Sequence, residues 1–184
     1  MLPEDRPAAR QDHPGGPTRL FIALWPTLTI RRALAAQQAS WTWPAGAVPT
    51  AADSLHLTLH FIGPVPLVHL PEVAQALGCP CTPFTLTLDS HALWPNRCAV
   101  LCPSRPPAAL LSLHAELAQA LARLHLPVEA RPFRPHVTLA RKAAGALTPT
   151  MPQPLRWRVG GYALVRSAAG RYTPLARYAC RASG

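Results

Sequence analysis

Two short segments of the chain repeat one four-residue pattern, and this repeat constrains the fold more than any other feature. Residues 56–59 read HLTL and residues 136–139 read HVTL. Alternate side chains of a β-strand point to opposite faces, so each segment presents its histidine and its threonine on one face. Two copies in the two halves of the chain predict duplicated lobes that face each other across a cleft.

The strand predicted around the first copy, residues 55–62, has one apolar and one polar face. The side chains expected to face the core are Leu57, Leu59 and Phe61. The side chains expected on the polar face are His56, Thr58 and His60. We expect His60 to be a half-exposed residue at the rim of the cleft, and the alternative is a third basic contact to a ligand.

The order of the remaining elements favours an α+β fold with antiparallel sheets over a doubly wound parallel fold, because strand often follows strand directly. The predicted strands are residues 19–25, 55–62, 84–94, 97–103, a segment from 136, 154–167 and 172–180. The predicted helices are 27–41, 67–78 and 106–127, the last having leucines at three- and four-residue spacing. Residues 1–17 are predicted to be a disordered tail, and residues 18–184 one bilobal domain.

The charge balance favours a phosphorylated ligand. The chain has 18 lysines and arginines against 8 aspartates and glutamates, a net charge of +10, and Lys142 is its single lysine. Such a field attracts anions, and the planar arginine fork matches phosphate oxygens. RNA or a nucleotide is therefore a better partner than an acidic protein or a membrane.

Two histidines in one cleft provide the acid and the base for phosphodiester cleavage. Histidine titrates near 6.5, so one ring can be neutral while the other is protonated at neutral pH. The neutral ring accepts a proton from the attacking water, and the imidazolium donates one to the leaving oxygen. Thr58 and Thr138 would hold the phosphate oxygens from the same face. This chemistry needs no metal, and no carboxylate cluster suited to magnesium is evident.

The cysteines indicate reduced thiols in the cytoplasm. There are five, an odd number, and they form no paired CxxC framework. The first residues lack the apolar stretch of a signal peptide, and no apolar run is long enough to span a membrane. A metal site built from Cys79, Cys81, Cys98, Cys102 and His91 is a weak alternative, because these spacings are not those of a zinc ribbon.

The chain resembles the two-histidine phosphoesterases, and within them the RNA 2′,3′-cyclic phosphodiesterases, the LigT-like family also named 2′-5′ RNA ligases. The resemblance covers residues 19–180 and is carried by four blocks: RLFIALWP, LHLTLHFIG, RPFRPHVTLAR and YALVRSAAGRYTPL. It implies two pseudo-symmetric lobes, each an antiparallel sheet flanked by helices, with the active site in the groove between them. It also implies a monomer without cofactor or metal.

The resemblance further implies hydrolysis of RNA 2′,3′-cyclic phosphate ends, or of a cyclic nucleotide, to 2′-phosphates. It makes His56 the proton donor and His136 the proton acceptor, with the phosphate bound by Thr58, Thr138 and the basic residue after the second motif, Arg141. Alternatives are a phosphoesterase or reversible RNA ligase acting on another cyclic phosphate or a 2′-5′ linkage, and a non-catalytic RNA or nucleotide binder. The aromatic candidates for stacking on a base are Phe21, Phe61, Phe133 and Tyr172.

Overall fold

The computed structural model describes residues 17–149 and 153–181. The predicted disordered tail, residues 1–17, lies outside this range except for its last residue. The described residues form ten strands: β1 (Thr18–Leu24), β2 (Val48–Pro49), β3 (Leu57–Val65), β4 (Phe84–Leu88), β5 (Ser90–Leu93), β6 (Ala99–Cys102), β7 (Val137–Arg141), β8 (Leu155–Val159), β9 (Gly161–Ala168) and β10 (Arg171–Ala179). They also form three α-helices: α1 (Leu28–Ala39), α2 (Leu70–Ala76) and α3 (Ala108–Arg123).

Eight of these strands make one antiparallel sheet in two halves, which confirms the predicted α+β class and bilobal architecture. The order is β10-β9-β1-β3-β7-β6-β5, with β2 also paired to β7. One half contains β10, β9, β1 and β3, and the other contains β7, β6, β5 and β2. The halves meet between β3 and β7, where the register has a single pair, Leu57 with Val137. The two motif strands are therefore direct neighbours at the junction of the lobes.

The hydrophobic core lies on one face of this sheet, which leaves the other face for the cleft. Helix α3 buries its predicted leucine stripe there, with Leu110, Leu113, Leu117 and Leu121 inaccessible or nearly so. Helix α1 begins after Thr27, whose hydroxyl accepts from the Ile30 amide at 3.4 Å. The β4–β8 ribbon covers the same side, with its apolar residues in the same cluster.

The first motif strand is not regular, and its predicted faces are wrong beyond Thr58. β3 pairs Thr58 with Ala23 and His60 with Ile22, so Leu59 is an extra residue and forms a β-bulge. Because of this extra residue, the side chains that follow it point to the opposite faces from those that regular alternation predicts. His60 is consequently 2% exposed on the core side.

The same bulge brings Phe61 to the opposite side from the core. Its side chain is 67% exposed on the cleft face, where regular alternation predicted a core residue. β3 then continues past Ile62, through Gly63 with its left-handed φ of 87°, and ends at Val65. The predicted end at Gly63 was therefore too early.

The second motif strand has the same irregularity at the equivalent residue. β7 advances from Thr138 to Ala140 while its partner β6 advances by one residue, so Leu139 is extra. Arg141, which regular alternation would turn toward the core face, instead lines the cleft. The leucine of each motif is thus a bulge residue, and each bulge redirects the side chain two positions later.

The predicted strand over residues 84–94 is two strands that belong to different sheets. β4 pairs with β8, whereas β5 pairs with β6. Asp89 separates them, and its carboxylate accepts from the amide and the hydroxyl of Ser104, both at 2.7 Å. These bonds hold the chain where it crosses from one sheet to the other.

The prediction that all five thiols are free is wrong for two of them. The structure joins Cys81 to Cys180 in a disulfide that links the segment after α2 to the residue after β10. The other three cysteines, Cys79, Cys98 and Cys102, are free. Within the described ranges, no helix is long and apolar enough to cross a membrane.

Candidate active site

The two motifs lie side by side because their central residues are paired. Leu57 and Val137 oppose each other in antiparallel register. Because the two strands run in opposite directions, the residue before Leu57 lies across from the residue after Val137, and the reverse. Each histidine therefore lies across from the threonine of the other motif. The predicted face with two histidines and two threonines is therefore assembled from both lobes.

Both histidines are oriented by the same kind of hydrogen bond to a backbone carbonyl. The Nδ1–H of His56 donates to the carbonyl of Ser54 at 2.6 Å, and the Nδ1–H of His136 donates to the carbonyl of Arg134 at 2.7 Å. Each acceptor lies two residues before its histidine. The bond fixes the ring and the tautomer, so Nε2 is the nitrogen that each histidine offers for proton transfer.

The cleft contains a cavity of about 280 Å³ into which all five predicted site residues project. From the motif strands, it is lined by His56, Thr58, Phe61, Gly63, His136, Thr138 and Arg141. The remaining lining residues are Arg19, Leu20, Phe21, Thr50, Ser54, Ser167 and Tyr172. Of the four aromatic candidates, only Phe133 does not line it.

His56 is surrounded by aromatic rings on the first lobe. Its ring centroid is 5.0 Å from Phe21, 5.3 Å from Tyr172 and 5.7 Å from the stacked ring of Trp25. The sequence did not single out Trp25, because an aromatic residue at the end of a buried strand is ordinarily part of a core.

Burial among these aromatic rings lowers the pKa of His56 to about 4. The hydrogen bond to the Ser54 carbonyl acts in the opposite direction, and the positive charges of Arg141 and of a protonated His136 lower the pKa further. Protonation of one histidine therefore disfavours protonation of the other. His56 is therefore neutral at pH 7.

His136 has different neighbours on the second lobe. The ring of Trp94 lies 4.4 Å from it, tilted by 54°. Burial lowers the pKa of His136, its bond to the Arg134 carbonyl raises it, and the charge of Arg134 lowers it. Both histidines are thus less basic than a free histidine, for partly different reasons.

Hydroxyl groups surround the two histidines. The hydroxyl of Thr58 is 3.1 Å from Nε2 of His56, and Thr138 lines the cavity from the other strand. Thr50, which the sequence analysis missed, adds a buried hydroxyl without a hydrogen-bond partner in the described residues. No local sequence signal identifies Thr50, because its place depends on the pairing of β2 with β7.

His60 is not a cleft residue, which corrects the expectation of a half-exposed rim position. Its Nε2–H donates to the carbonyl of His114 at 2.9 Å, and the two rings stack at 4.0 Å. His114 stacks in turn on Phe133 at 3.9 Å. The β-bulge at Leu59 is the cause, since it turns His60 toward α3.

The alternative metal site also fails to form. His91 faces the core side, where it donates to the side-chain oxygen of Gln37 at 3.1 Å and contacts Trp41. Across residues 17–149 and 153–181, no group of three or more histidine, cysteine, aspartate or glutamate side chains is close enough to hold a metal ion.

Comparison with known sequences gives one family. The sequence model of the 2′-5′ RNA ligase superfamily matches residues 30–171. The RNA 2′,3′-cyclic phosphodiesterase of Escherichia coli is 37% identical over 172 residues, which are 89% of this chain and 97% of that protein. The enzyme of the same name from Thermus thermophilus is 32% identical over 161 residues, 81% of each chain.

Comparison with solved structures agrees. The apo crystal structure of E. coli LigT superposes with a TM-score of 0.77 at 34% identity, over 90% of this chain and 98% of that one. The complex of E. coli LigT with 3′-AMP superposes with a TM-score of 0.76, over 89% and 98%.

Proposed function

The chain belongs to the 2′-5′ RNA ligase superfamily, and we propose that it is an enzyme that hydrolyses RNA 2′,3′-cyclic phosphate ends to 2′-phosphates. Its likeness to the E. coli and T. thermophilus enzymes of that name extends over most of each chain. The observation that carries the proposal is the paired register of the motifs. This register supports a site in which one phosphate contacts both histidines and both threonines.

The proposed reaction is an in-line displacement at phosphorus. A water oxygen bonds to the phosphorus while His136 accepts its proton through Nε2. The bond between phosphorus and the 3′ oxygen breaks, and that oxygen takes a proton from His56. The products are a 3′-hydroxyl and a 2′-phosphate, and proton exchange with solvent restores the pair. Thr58, Thr138 and Arg141 stabilise the charge on the non-bridging oxygens.

Substrate binding favours uptake of one proton from solvent by the histidine pair. Burial lowers the pKa of both histidines from the ordinary value of 6.5, which favours the neutral form of each ring at pH 7. A bound cyclic phosphate carries negative charge, which favours an imidazolium beside it. The acid is therefore formed when the substrate binds, and the repulsion between the rings limits the pair to one proton.

An exposed aromatic ring supports a nucleotide as the ligand. Phe61 is 67% exposed on the cleft face, beside Phe21 at a centroid distance of 6.3 Å. Single-stranded RNA is commonly bound by stacking of bases on such rings. We propose that the ring of Phe61 stacks on the base of the terminal nucleotide, and Tyr172 lines the same cavity.

A direct assay tests the function. The purified protein is given a nucleoside 2′,3′-cyclic phosphate and a cyclic-ended oligonucleotide, each with EDTA, and the product is identified as the 2′- or the 3′-phosphate. We expect the 2′-phosphate from both substrates. Formation of the 3′-phosphate, or no turnover of either substrate, would contradict the proposal. A parallel 2′-5′-linked dinucleotide tests the alternative activity, which a higher kcat/KM on that substrate would favour.

The expected compartment and oligomeric state belong to the same proposal. We expect a cytoplasmic monomer, which light scattering of the purified protein tests. Cell fractionation tests the compartment, and recovery of the protein in the cytoplasmic fraction is the result expected.

A further inference from the structure

A guanidinium group lies beside the cleft on the second lobe and has no contact with the phosphate in the proposed reaction. The Cζ atom of Arg134 is 4.7 Å from the ring centroid of Trp94, in a cation–π contact. Trp94 is in turn in contact with His136. The guanidinium is therefore one indole ring away from the catalytic pair, and it is not among the residues that line the cavity.

Both partners of this contact lie in backbone segments that hydrogen bonds hold in place. Trp94 occupies the tight connection between β5 and β6, where its amide donates to the Cys98 carbonyl at 2.9 Å and its carbonyl accepts from Arg97 at 2.9 Å. Arg134 lies immediately before Pro135, and its own carbonyl accepts the His136 Nδ1–H. The contact is thus built from the residues that orient the proposed general base.

The charge of Arg134 is not neutralised within the described residues. The neighbouring Arg131 forms an ion pair with Glu129, whereas the Arg134 side chain is exposed and has no carboxylate partner there. With one face of the guanidinium over the indole, its N–H edge remains available. An arginine fork of this kind matches two oxygens of a phosphodiester, and a side chain held in place loses less entropy on binding.

We propose that Arg134, held on Trp94, binds the phosphodiester that precedes the terminal nucleotide of a cyclic-ended RNA. This inference rests on the proposed function and extends it from the terminal phosphate to the next one along the backbone. The site distinguishes an RNA end from a free cyclic nucleotide, because a cyclic mononucleotide has no such phosphodiester. An oligonucleotide is accordingly the preferred substrate.

Arg134 also influences His136 directly through its charge, so a loss of activity alone would not identify a phosphate site. An effect on His136 changes hydrolysis of every substrate by a common factor. A phosphate contact changes only substrates that have the phosphate. The informative quantity is therefore the ratio of kcat/KM for the oligonucleotide to kcat/KM for the mononucleotide.

The test measures this ratio for the wild type, Arg134→Ala and the matched control Arg131→Ala, with uridine 2′,3′-cyclic phosphate and a trinucleotide ending in the same group. Arg134→Ala should lower the ratio about tenfold, which is typical of a lost hydrogen bond to a charged group. It should also reduce by about one the slope of log kcat/KM for the trinucleotide against log salt. Arg131→Ala should change neither.

A wild-type ratio near one, or an equal loss on both substrates in Arg134→Ala, would overturn the phosphate site and leave the proposed function intact. If Arg131→Ala lowers the ratio as much as Arg134→Ala does, the effect comes from net charge in general and the phosphate site at Arg134 is wrong. Absence of turnover on either substrate by the wild type would instead contradict the proposed function itself.

Discussion

The two copies of the histidine–threonine motif share a backbone and differ in their surroundings. In both, a carbonyl two residues before the histidine fixes its ring, and a bulge at the leucine redirects the chain. The first bulge presents Phe61 to the cleft, and the second presents Arg141. One local structure thus presents an exposed aromatic ring on one lobe and a positive charge on the other.

This difference indicates how a duplicated lobe can give an asymmetric reaction. The repeated part sets the orientation of the two histidine rings. The unrepeated part, which is aromatic around His56 and includes Trp94 with Arg134 around His136, sets the environment of each ring. Substitutions that remove one member of an equivalent pair therefore separate shared functions from specialised ones.

The largest expected effect is on the histidines. His56→Ala and His136→Ala should each lower kcat by roughly 10²–10⁴-fold, because each removes one proton transfer. A substrate with sulfur in place of the leaving 3′ oxygen separates their roles, since a thiolate leaves without a proton. His56→Ala should regain activity on this substrate and His136→Ala should not. Recovery by His136→Ala alone would reverse the proposed roles.

Removal of Arg141 should have the next largest effect. Arg141→Gln should lower kcat/KM by about 10- to 100-fold, through loss of a charge-assisted hydrogen bond to the phosphate. Lys142→Gln is the matched control, because it removes the same charge from the next, exposed residue, which does not line the cavity. Equal losses in both variants would indicate a long-range field rather than a contact.

The equivalent residue on the first lobe, Phe61, should act on binding. Phe61→Ala should raise KM about tenfold with a smaller change in kcat, as base stacking is typically worth about 1–3 kcal/mol. A cyclic phosphate without a base, such as glycerol 1,2-cyclic phosphate, provides the control. If Phe61→Ala impairs hydrolysis of both compounds to the same extent, the ring does not stack on the base.

The pH dependence should reflect the low basicity of both rings. The profile of kcat/KM should be bell-shaped, with its maximum on the acid side of 6.5, because burial lowers the pKa of both histidines in the free enzyme. Arg141→Gln should move the profile toward higher pH, since the Arg141 charge contributes to the low pKa of His56. A maximum above pH 7 in the wild type would contradict this account.

The smallest expected effect on catalysis concerns His60, which occupies the same bulge position as the buried Ala140 of the second lobe. His60→Ala should change kcat less than about threefold, yet lower the free energy of unfolding by about 1–3 kcal/mol. Chemical denaturation and steady-state kinetics measure the two effects. A large loss of kcat in folded His60→Ala would show that His60 contributes to the active site.

The stability effect should itself depend on pH. Burial lowers the pKa of His60 in the folded protein, whereas the unfolded chain protonates near 6.5. The contribution of His60 to stability is therefore complete above pH 6.5 and decreases as the pH falls below it. The difference in unfolding free energy between wild type and His60→Ala should accordingly be larger at pH 8 than at pH 5.

Much of the candidate site could be predicted because it depends on a short local pattern. The alternation of His56 and Thr58, and of His136 and Thr138, was sufficient to place these four side chains on one face. The pattern failed at His60 and Phe61, because a bulge depends on pairing with a neighbouring strand and leaves no mark in the alternation itself. Contacts formed only by tertiary structure, such as that of Arg134 with Trp94, could not be predicted for the same reason.

The single residue pair between β3 and β7 has a consequence for how such an enzyme can change. The backbone spacing of the two motifs is set inside the core by Leu57 and Val137, and the Ser54 and Arg134 carbonyls just before the motifs orient the two rings. Cleft loops other than these two short segments can therefore lengthen, shorten or exchange residues without altering that spacing. For protein engineering, this separates the choice of substrate from the reaction centre, so that loop libraries can be screened on new cyclic phosphates with catalytic geometry preserved.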